Sequence, residues 1–559
     1  MKNRLAIAAA VTITLFGAAW PITVAASLIT DPGAGSRTAS SSLTTNLAAA
    51  TQINPKGSWP VYHRDNGHTG FDPAQPAVCC VKAGWTSAAL DDRIFASPLI
   101  FGGIVYVATL NNTVYALNQI DGSLIWSNHL RAPETGGWTC GFQASPQGIL
   151  GTGVIDPQTN RIFVTTLDTN DDHYRLEGLN LDTGVEEVNT DISAYTAGIG
   201  FTFDWKIQQQ RGALAVANGY VYVPFGGRAG DCGNYHGWVY AVPINGSPIT
   251  HFPYVTSGSG SGFWAAGGVV VDDSTGKLFM SSGNAMPPGS GCAANGDGTP
   301  VFENNAVIRL SATLAREDAF VPADWQGNWC NNDADLGSTS SVLISPNLMF
   351  QSGKWGTGFL LNPKNLGGMG KQLYPAPLPA AYSEVNTCLG SHGGATFGSY
   401  AYAAPFVYLE CEGRGIVALR VDSTAPSFSP CDNPCLAPDW RAGAGITFGP
   451  PIVAGGLVWA ATSGGGLYAY DAATGAQMFH SATFGIDRFV TPAEAGGQVF
   501  VAASGPNVIR TFVMGFRTAQ SAIAPAVPAR QPVLQAPPPV VPTRAPVSQS
   551  TPAPPPYGR

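Results

Sequence analysis

A four-strand unit recurs along this chain, and nothing else in the sequence restricts its fold as strongly. The clearest copy opens Ser97-Pro98-Leu99-Ile100, turns at Gly102-Gly103 and continues Ile104-Val105-Tyr106-Val107-Ala108. It then runs Thr113-Val114-Tyr115-Ala116-Leu117-Asn118, turns at Asp121-Gly122 and ends Leu124-Ile125-Trp126. A second copy is Pro451-Ile452-Val453, Gly455-Gly456, Leu457-Val458-Trp459-Ala460-Ala461, Leu467-Tyr468-Ala469-Tyr470-Asp471, Thr474-Gly475 and Met478-Phe479. Alternating β-branched and aromatic residues between Gly and Asn/Asp turns are the mark of half-buried strands joined tightly. Weaker copies lie within residues 153–184, 213–241, 268–310, 341–361, 396–419 and 491–513.

One such unit cannot bury its own apolar faces, so the copies must stack on one another. The last copy lacks a fourth strand, and the stretch Val81-Lys82-Ala83-Gly84-Trp85-Thr86-Ser87, ahead of the first full copy, reads as that missing strand. An early strand that completes a late sheet closes a ring and removes the open sheet edges that invite aggregation. The expected fold is therefore all-β: an eight-bladed β-propeller of four-stranded antiparallel blades, closed by an N-terminal strand.

The flanks differ in composition. Met1-Lys2-Asn3-Arg4, the apolar run from Leu5 to Trp20 and the small residues Val24-Ala25-Ala26 predict a signal peptide over 1–26. The competing reading, an uncleaved anchor, is disfavoured by the shortness of the run. Residues 27–57 read as a flexible leader, 58–517 as the propeller and 518–559 as a Pro-rich disordered tail that cannot pack a core. No later stretch is long and apolar enough to span a membrane, which predicts a secreted, periplasmic or extracellular protein. Removing Lys2 and Arg4 leaves 26 basic against 36 acidic residues, a net charge of −10. Setting aside Arg530, Arg544 and Arg559 of the tail brings it to −13, which excludes the basic footprint of a nucleic-acid binder. Asn111-Asn112-Thr113 and Asn245-Gly246-Ser247 are glycosylation sequons, relevant only in a host that glycosylates.

Ten cysteines in an exported chain favour disulfides. Cys388 with Cys411, Cys292 with Cys330 and Cys431 with Cys435 are the expected pairs, each pinning a long loop or turn. There is no C-x-x-C-H for haem attachment and no paired C-x-x-C for structural zinc.

In such a ring the loops entering each inner strand and those joining second to third strands share one face. The first group supplies Gln143, Arg211, Trp264, Asp335, His392 and Arg488. The second supplies Asp231, His236, Asn284, Lys354, Trp355, Glu412 and Arg414. Together they line a concave pocket where the central channel opens, a common place for ligands. The competing reading is that they satisfy buried loop backbone and one another. His63 and His68 flank a turn and read as surface polar residues.

These repeats resemble the PQQ-type propellers, named for pyrroloquinoline quinone, whose blades follow Ala-x-Asp-x-x-Thr-Gly-x-x-x-Trp. Ala116-x-Asn118-x-x-Asp121-Gly122-x-x-x-Trp126 and Ala469-x-Asp471-x-x-Thr474-Gly475-x-x-x-Phe479 match closely, and Gly178-x-Asn180-x-x-Thr183-Gly184 more loosely. The run from Trp59 to Gly70 is similar to the opening of many such chains. Residues 231–238, 335–340 and 353–358 resemble a subgroup of exported bacterial members with unassigned function. The resemblance covers about residues 58–517 and is specific for fold. It implies that the Gly turns the chain while the aromatic docks between blades.

For chemistry it implies two classes of function. One is a non-catalytic binding or scaffold module for a protein or carbohydrate, similar in fold to the periplasmic propeller of the outer-membrane protein assembly machinery. No cysteine closely follows the apolar run for that protein's kind of lipid anchor. The other is a PQQ- and Ca-dependent dehydrogenase of alcohols or sugars, with Asp335 as base and Trp264, Asn284, Arg211, Lys354 and His392 holding the cofactor. No metal ligand set can be assigned from the sequence. Cys79-Cys80 resembles the vicinal disulfide that caps the quinone in PQQ alcohol dehydrogenases, but it precedes the closing strand at the periphery. Pairing with other cysteines is the expected outcome there.

Overall fold

The computed structural model describes residues 57–516 apart from 142–144, 196–199, 286–302, 331, 374–384, 387, 389–394 and 430–438. The expected signal peptide, leader and Pro-rich tail therefore lie outside the described residues, except for Gly57 of the leader and without Arg517 of the propeller. No helix among the described residues is long and apolar enough to cross a membrane.

Eight sheets follow one another along the chain, and each ladder falls where the repeats place it. Blade 1 pairs Leu99–Phe101, Ile104–Ala108, Thr113–Asn118 and Leu124–His129 antiparallel. Its first turn needs left-handed backbone at both central residues, φ 60° at Gly102 and 80° at Gly103, which only glycine adopts without strain. Inner strands of successive blades neighbour one another, and that of blade 8, Ala493–Ala495, lies against that of blade 1.

The ring closes as expected. Val78–Thr86 forms the outer strand of blade 8 beside Val508–Phe516, with Lys82 opposite Val513 and Ala83 opposite Phe512. This strand begins earlier than the sequence reading placed it, so Cys79 and Cys80 lie inside it. One apolar cluster runs through blades 7, 8 and 1, including Trp459, Phe500 and Ile100. Some blades exceed four strands: Phe71–Asp72 adds a parallel strand to blade 7, and Gly368–Met369 adds one to blade 4.

The aromatic of the repeat motif does dock between blades. Trp126 of blade 1 donates from Nε1 to the Leu181 carbonyl at 2.9 Å, its ring against Gly184 of the next blade's turn. Trp440 of blade 6 does the same with Ala472 and Gly475 of blade 7. Trp85 of the closing strand donates to Gln119 and covers Gly122 of blade 1. A Cβ on Gly122 would lie 2.4 Å from that ring, so glycine there permits the close approach.

Residues 57–72 run around the ring against the inner strands. Trp59 exchanges two backbone hydrogen bonds with Ile100 of blade 1, and the Pro60 carbonyl accepts from Ile155 of blade 2. Asn66 donates from Nδ2 to Val216 of blade 3 and accepts at its carbonyl from Val271 of blade 4. The carbonyls of Gly67, Thr69 and Gly70 accept from Leu343, Tyr402 and Val453 of blades 5, 6 and 7. Asp72 stands beside Glu494 of blade 8. The segment thus touches every blade.

This corrects the reading of His63 and His68 as surface residues: both are 0% exposed. His63 Nδ1 lies 2.8 Å from the Tyr400 carbonyl and its ring stacks on Tyr62. An isolated turn gives no hint that a ring of strands surrounds it. Burial lowers the two imidazoles from 6.5 to about 4 and about 3.

Two predictions follow from this architecture. Trp85→Ala removes the lock of the closing strand and lowers unfolding free energy by about 3 kcal/mol in urea titration, and Gly122→Val acts in the same direction. The neutral histidines stabilise the fold fully above pH 6.5, where the unfolded chain is also neutral. As pH falls from 6.5 toward 4 the unfolded chain takes up protons first, so each ring costs about 1.4 kcal/mol per pH unit. Thermal denaturation of His63→Gln will show a shallower acid limb than the parent.

Candidate functional site

Some of the loop residues expected to share a face meet where loops from opposite sides of the ring converge, and they form a run of alternating cations and aromatics. Arg211, from the connection of blades 2 and 3, places its guanidinium 4.3 Å from the Phe489 centroid and 5.9 Å from that of Trp264. Arg488, between blades 7 and 8, lies 4.8 Å from both Phe489 and Phe397. Phe397 returns to Trp264 at 6.2 Å. Lys354, from blade 5, adds a third cation 5.2 Å from Trp264. Cations over ring faces are attracted by the π quadrupole.

The two arginines differ in partners. Arg488 pairs with Glu412 at 3.4 Å, and both are solvent-exposed. Arg211 Nη2 is buried without a hydrogen-bond acceptor, and no carboxylate pairs with this guanidinium among the described residues. Burial and the neighbouring Arg488 pull Arg211 down to about 9, still protonated at neutral pH. Phe489 has φ 73°, a left-handed conformation that disfavours a bulky side chain. Tyr62, Phe95 and Leu150 line, with Arg211, Arg488 and Phe489, a crevice with room for about one water molecule.

Beside Trp264 stands a charge cluster. Asp335, just before the turn Leu336–Ser338, accepts the Asn284 backbone N–H at 2.7 Å, and the Asn284 side-chain amide turns its nitrogen to the same carboxylate. Lys354 Nζ lies 2.5 Å from Asp335 and 2.6 Å from Asp333. Burial pushes the Asp335 carboxyl up to about 6 against the pull of Lys354, and Asp335 and Asp333 hold Lys354 above its ordinary value. At neutral pH the group is an ion pair shielded on one side by an indole.

Several expected members stand elsewhere. His236 is buried, 2.9 Å from the Thr256 carbonyl, with its ring against Phe201. Trp355 packs on Trp329. Asp231 accepts from the Tyr235 hydroxyl at the edge of the Lys354 cluster. Arg414 sits in the blade 6 loop near Arg441. Gln143 and His392 lie outside the described residues. The sequence reading missed Phe397, Phe489, Asp333 and the buried Glu410, which accepts the Phe397 N–H at 2.8 Å. Phe489 adjoins Arg488 and Phe397 opens an inner-strand entry, a signal that reading polar residues alone discards.

Disulfides flank these acids. Cys388–Cys411 forms as expected, and Cys411 separates Glu410 from Glu412. Cys330 is disulfide-bonded, while Cys292, Cys431 and Cys435 lie outside the described residues. Cys140–Cys232 was not foreseen: it ties the blade 1–2 connection to the blade 3 loop beside Asp231, across 92 residues of sequence. Cys79 and Cys80 correct the expectation of structural pairing, since both are free and exposed.

Asp171, His173 and Asp191 gather on the outer strands of blade 2, but Arg175 already pairs with both acids. A shallow groove of about 550 Å³ with Phe252 at its lip lies by the outer strand of blade 3.

The fold is that of an eight-bladed propeller whose interblade tryptophans are similar to those of PQQ-repeat, quinoprotein-like propellers. Residues 74–279 match the PQQ_2 family, described as outer membrane protein assembly factor BamB. No curated protein sequence matches the chain. Among solved structures it is similar to the quinohemoprotein alcohol dehydrogenase ADHIIG from Pseudomonas putida HK5, with TM-score 0.59, 14% identity and coverage of 84% of this chain and 82% of that one. The quinohemoprotein alcohol dehydrogenase from Comamonas testosteroni gives TM-score 0.57 and 17% identity over 85% of this chain and 83% of that one. BamB from Moraxella catarrhalis gives TM-score 0.50 and 9% identity over 79% and 99%. At these identities the likeness is one of fold.

Replacing Lys354 with Met strands the Asp335 carboxylate and will cost roughly 2–3 kcal/mol at pH 7, reduced from a fully buried pair by its partial exposure. Adding Asp335→Asn will recover much of that loss in a double-mutant cycle read by chemical denaturation.

Proposed function

We propose that this chain is an exported binding module whose ligand lies on the axial face, held by Arg211 and Arg488 and stacked on Trp264, Phe397 and Phe489. The observation that carries this reading is the buried Nη2 of Arg211, which meets no acceptor among the described residues. A desolvated cation is costly to keep unless an anion meets it. Aromatic faces beside it favour a planar molecule, so the ligand class is a flat compound bearing carboxylates. The crevice that Arg211, Arg488 and Phe489 share with Tyr62, Phe95 and Leu150 is too small for such a ligand, so it would lie over the rings. Disulfides accord with an oxidising compartment.

A second reading, a PQQ- and Ca-dependent alcohol or sugar dehydrogenase, draws support from Asp335, Asn284 and Trp264 standing together. The residues suit the quinone half of that reading: PQQ is planar and carboxylated, and Arg211 and Arg488 with three aromatic rings would meet it. They do not suit calcium, because Asp335 and Asp333 both already hold Lys354.

Binding of PQQ, followed by tryptophan fluorescence with and without Ca²⁺, distinguishes the readings. The binding-module reading expects saturable quenching independent of Ca²⁺ and weakened about ten-fold or more by Arg211→Ala. Added salt will weaken it further. Reduction of a dye with alcohols or aldoses, lost in Asp335→Ala, would establish the dehydrogenase instead. No quenching by PQQ or simpler aromatic carboxylates would remove the anion site.

A further inference from the structure

Away from the axial face, the closing strand carries two neighbouring thiols with an unusual placement. Adjacent residues of a regular strand point to opposite faces of the sheet. Here the ladder slips: Val78 pairs with Phe516 and Cys80 with the very next residue, Gly515, leaving Cys79 as the extra residue of a β-bulge. The bulge turns both side chains to one side, with their sulfurs 2.8 Å apart. Cys79 also donates to the Gly515 carbonyl at 3.3 Å. Opposite the pair stands glycine, and a Cβ there would meet the Cys80 sulfur at 2.5 Å. Both thiols are open to solvent, and the other described cysteines are all disulfide-bonded.

We propose that Cys79 and Cys80 are a redox site that exchanges with low-molecular-weight disulfides and closes into a disulfide between neighbours. One cysteine thiolate attacks a sulfur of the small disulfide, forming a mixed disulfide and expelling one small thiolate. The second cysteine gives its proton to water and attacks the protein sulfur of that mixed disulfide, expelling the other small thiolate. The small disulfide gains two electrons and, with two protons, leaves as two thiols; the protein loses two hydrogens and gains one S–S bond. The bulge supplies what this needs, since exchange depends on access and on the second sulfur lying within reach of the first. The hydrogen bond with Cys79 holds the Cys80 thiol above its ordinary value and Lys82 offsets this only in part, so the exchange quickens as pH rises.

The test uses the full chain, mildly reduced so that the buried Cys388–Cys411 pair stays closed, then treated with oxidised glutathione and mapped by peptide mass. The expected product is a peptide holding Cys79 and Cys80 that is lighter by two hydrogen atoms, carries no glutathione and reopens with dithiothreitol. Cys79→Ser and Cys80→Ser, both exposed and checked for folding by circular dichroism, should each stop at a stable glutathione adduct. The proposal is overturned if the parent keeps two alkylatable thiols, retains the adduct or links two chains through this peptide. It is overturned equally if neither single variant forms the adduct.

Discussion

The pairing of Val78–Thr86 with Val508–Phe516 is the contact on which the rest of this molecule depends. Stacked blades give each sheet two neighbours only if the stack returns to its start, and this ladder joins residues more than four hundred positions apart in the chain. Because the first and last blades are joined, no blade is left with an uncovered apolar face. The loops from blades 2, 3, 5 and 7 are brought to one axis for the same reason: Arg211, Trp264, Phe397 and Arg488 have no sequence proximity and meet only through closure.

What closure assembles at the axis is chemically uneven. On the Asp335–Lys354 side the one ammonium is met by two carboxylates, Asp335 and Asp333, within hydrogen-bonding distance. The Arg211–Arg488 side is not so matched, and its aromatic lining lowers the local dielectric and strengthens whatever field the guanidiniums exert. Disulfide-bonded cysteines beside Asp231, Glu410 and Glu412 anchor the loops that surround both halves. The result is a stiff, asymmetric surface, one flank rich in carboxylates and one cationic.

The repeat made the blades legible because strand alternation and paired glycines are local signals. The closing strand was legible because one copy was short by a strand. Cys388 with Cys411 could be read from their places on one blade, whereas Cys140 with Cys232 could not, since that pair depends on how a long connection folds over its neighbour. Of the candidate site, Arg211, Trp264, Asn284, Asp335, Lys354 and Arg488 were named from their loop positions and chemistry. Phe397 and Phe489 were missed because apolar residues in such loops look like ordinary core. His63 and His68 were misread for a related reason: their burial comes from strands contributed by the whole length of the chain, and no window of sequence contains them.

The segment from Trp59 to Asp72 bears on how such a chain reaches its native state. It is made early, yet its hydrogen-bonding partners are spread over every later blade, the last of them close to Glu494. While synthesis proceeds, this stretch waits without most of its acceptors and donors, and its two imidazoles remain wet. Settling it therefore belongs to the end of folding, after the farthest partners have emerged, and the long loops to be closed make that final step slow. A molecule interrupted before its final strands keeps an unseated leading end, a feature that quality-control proteases can recognise.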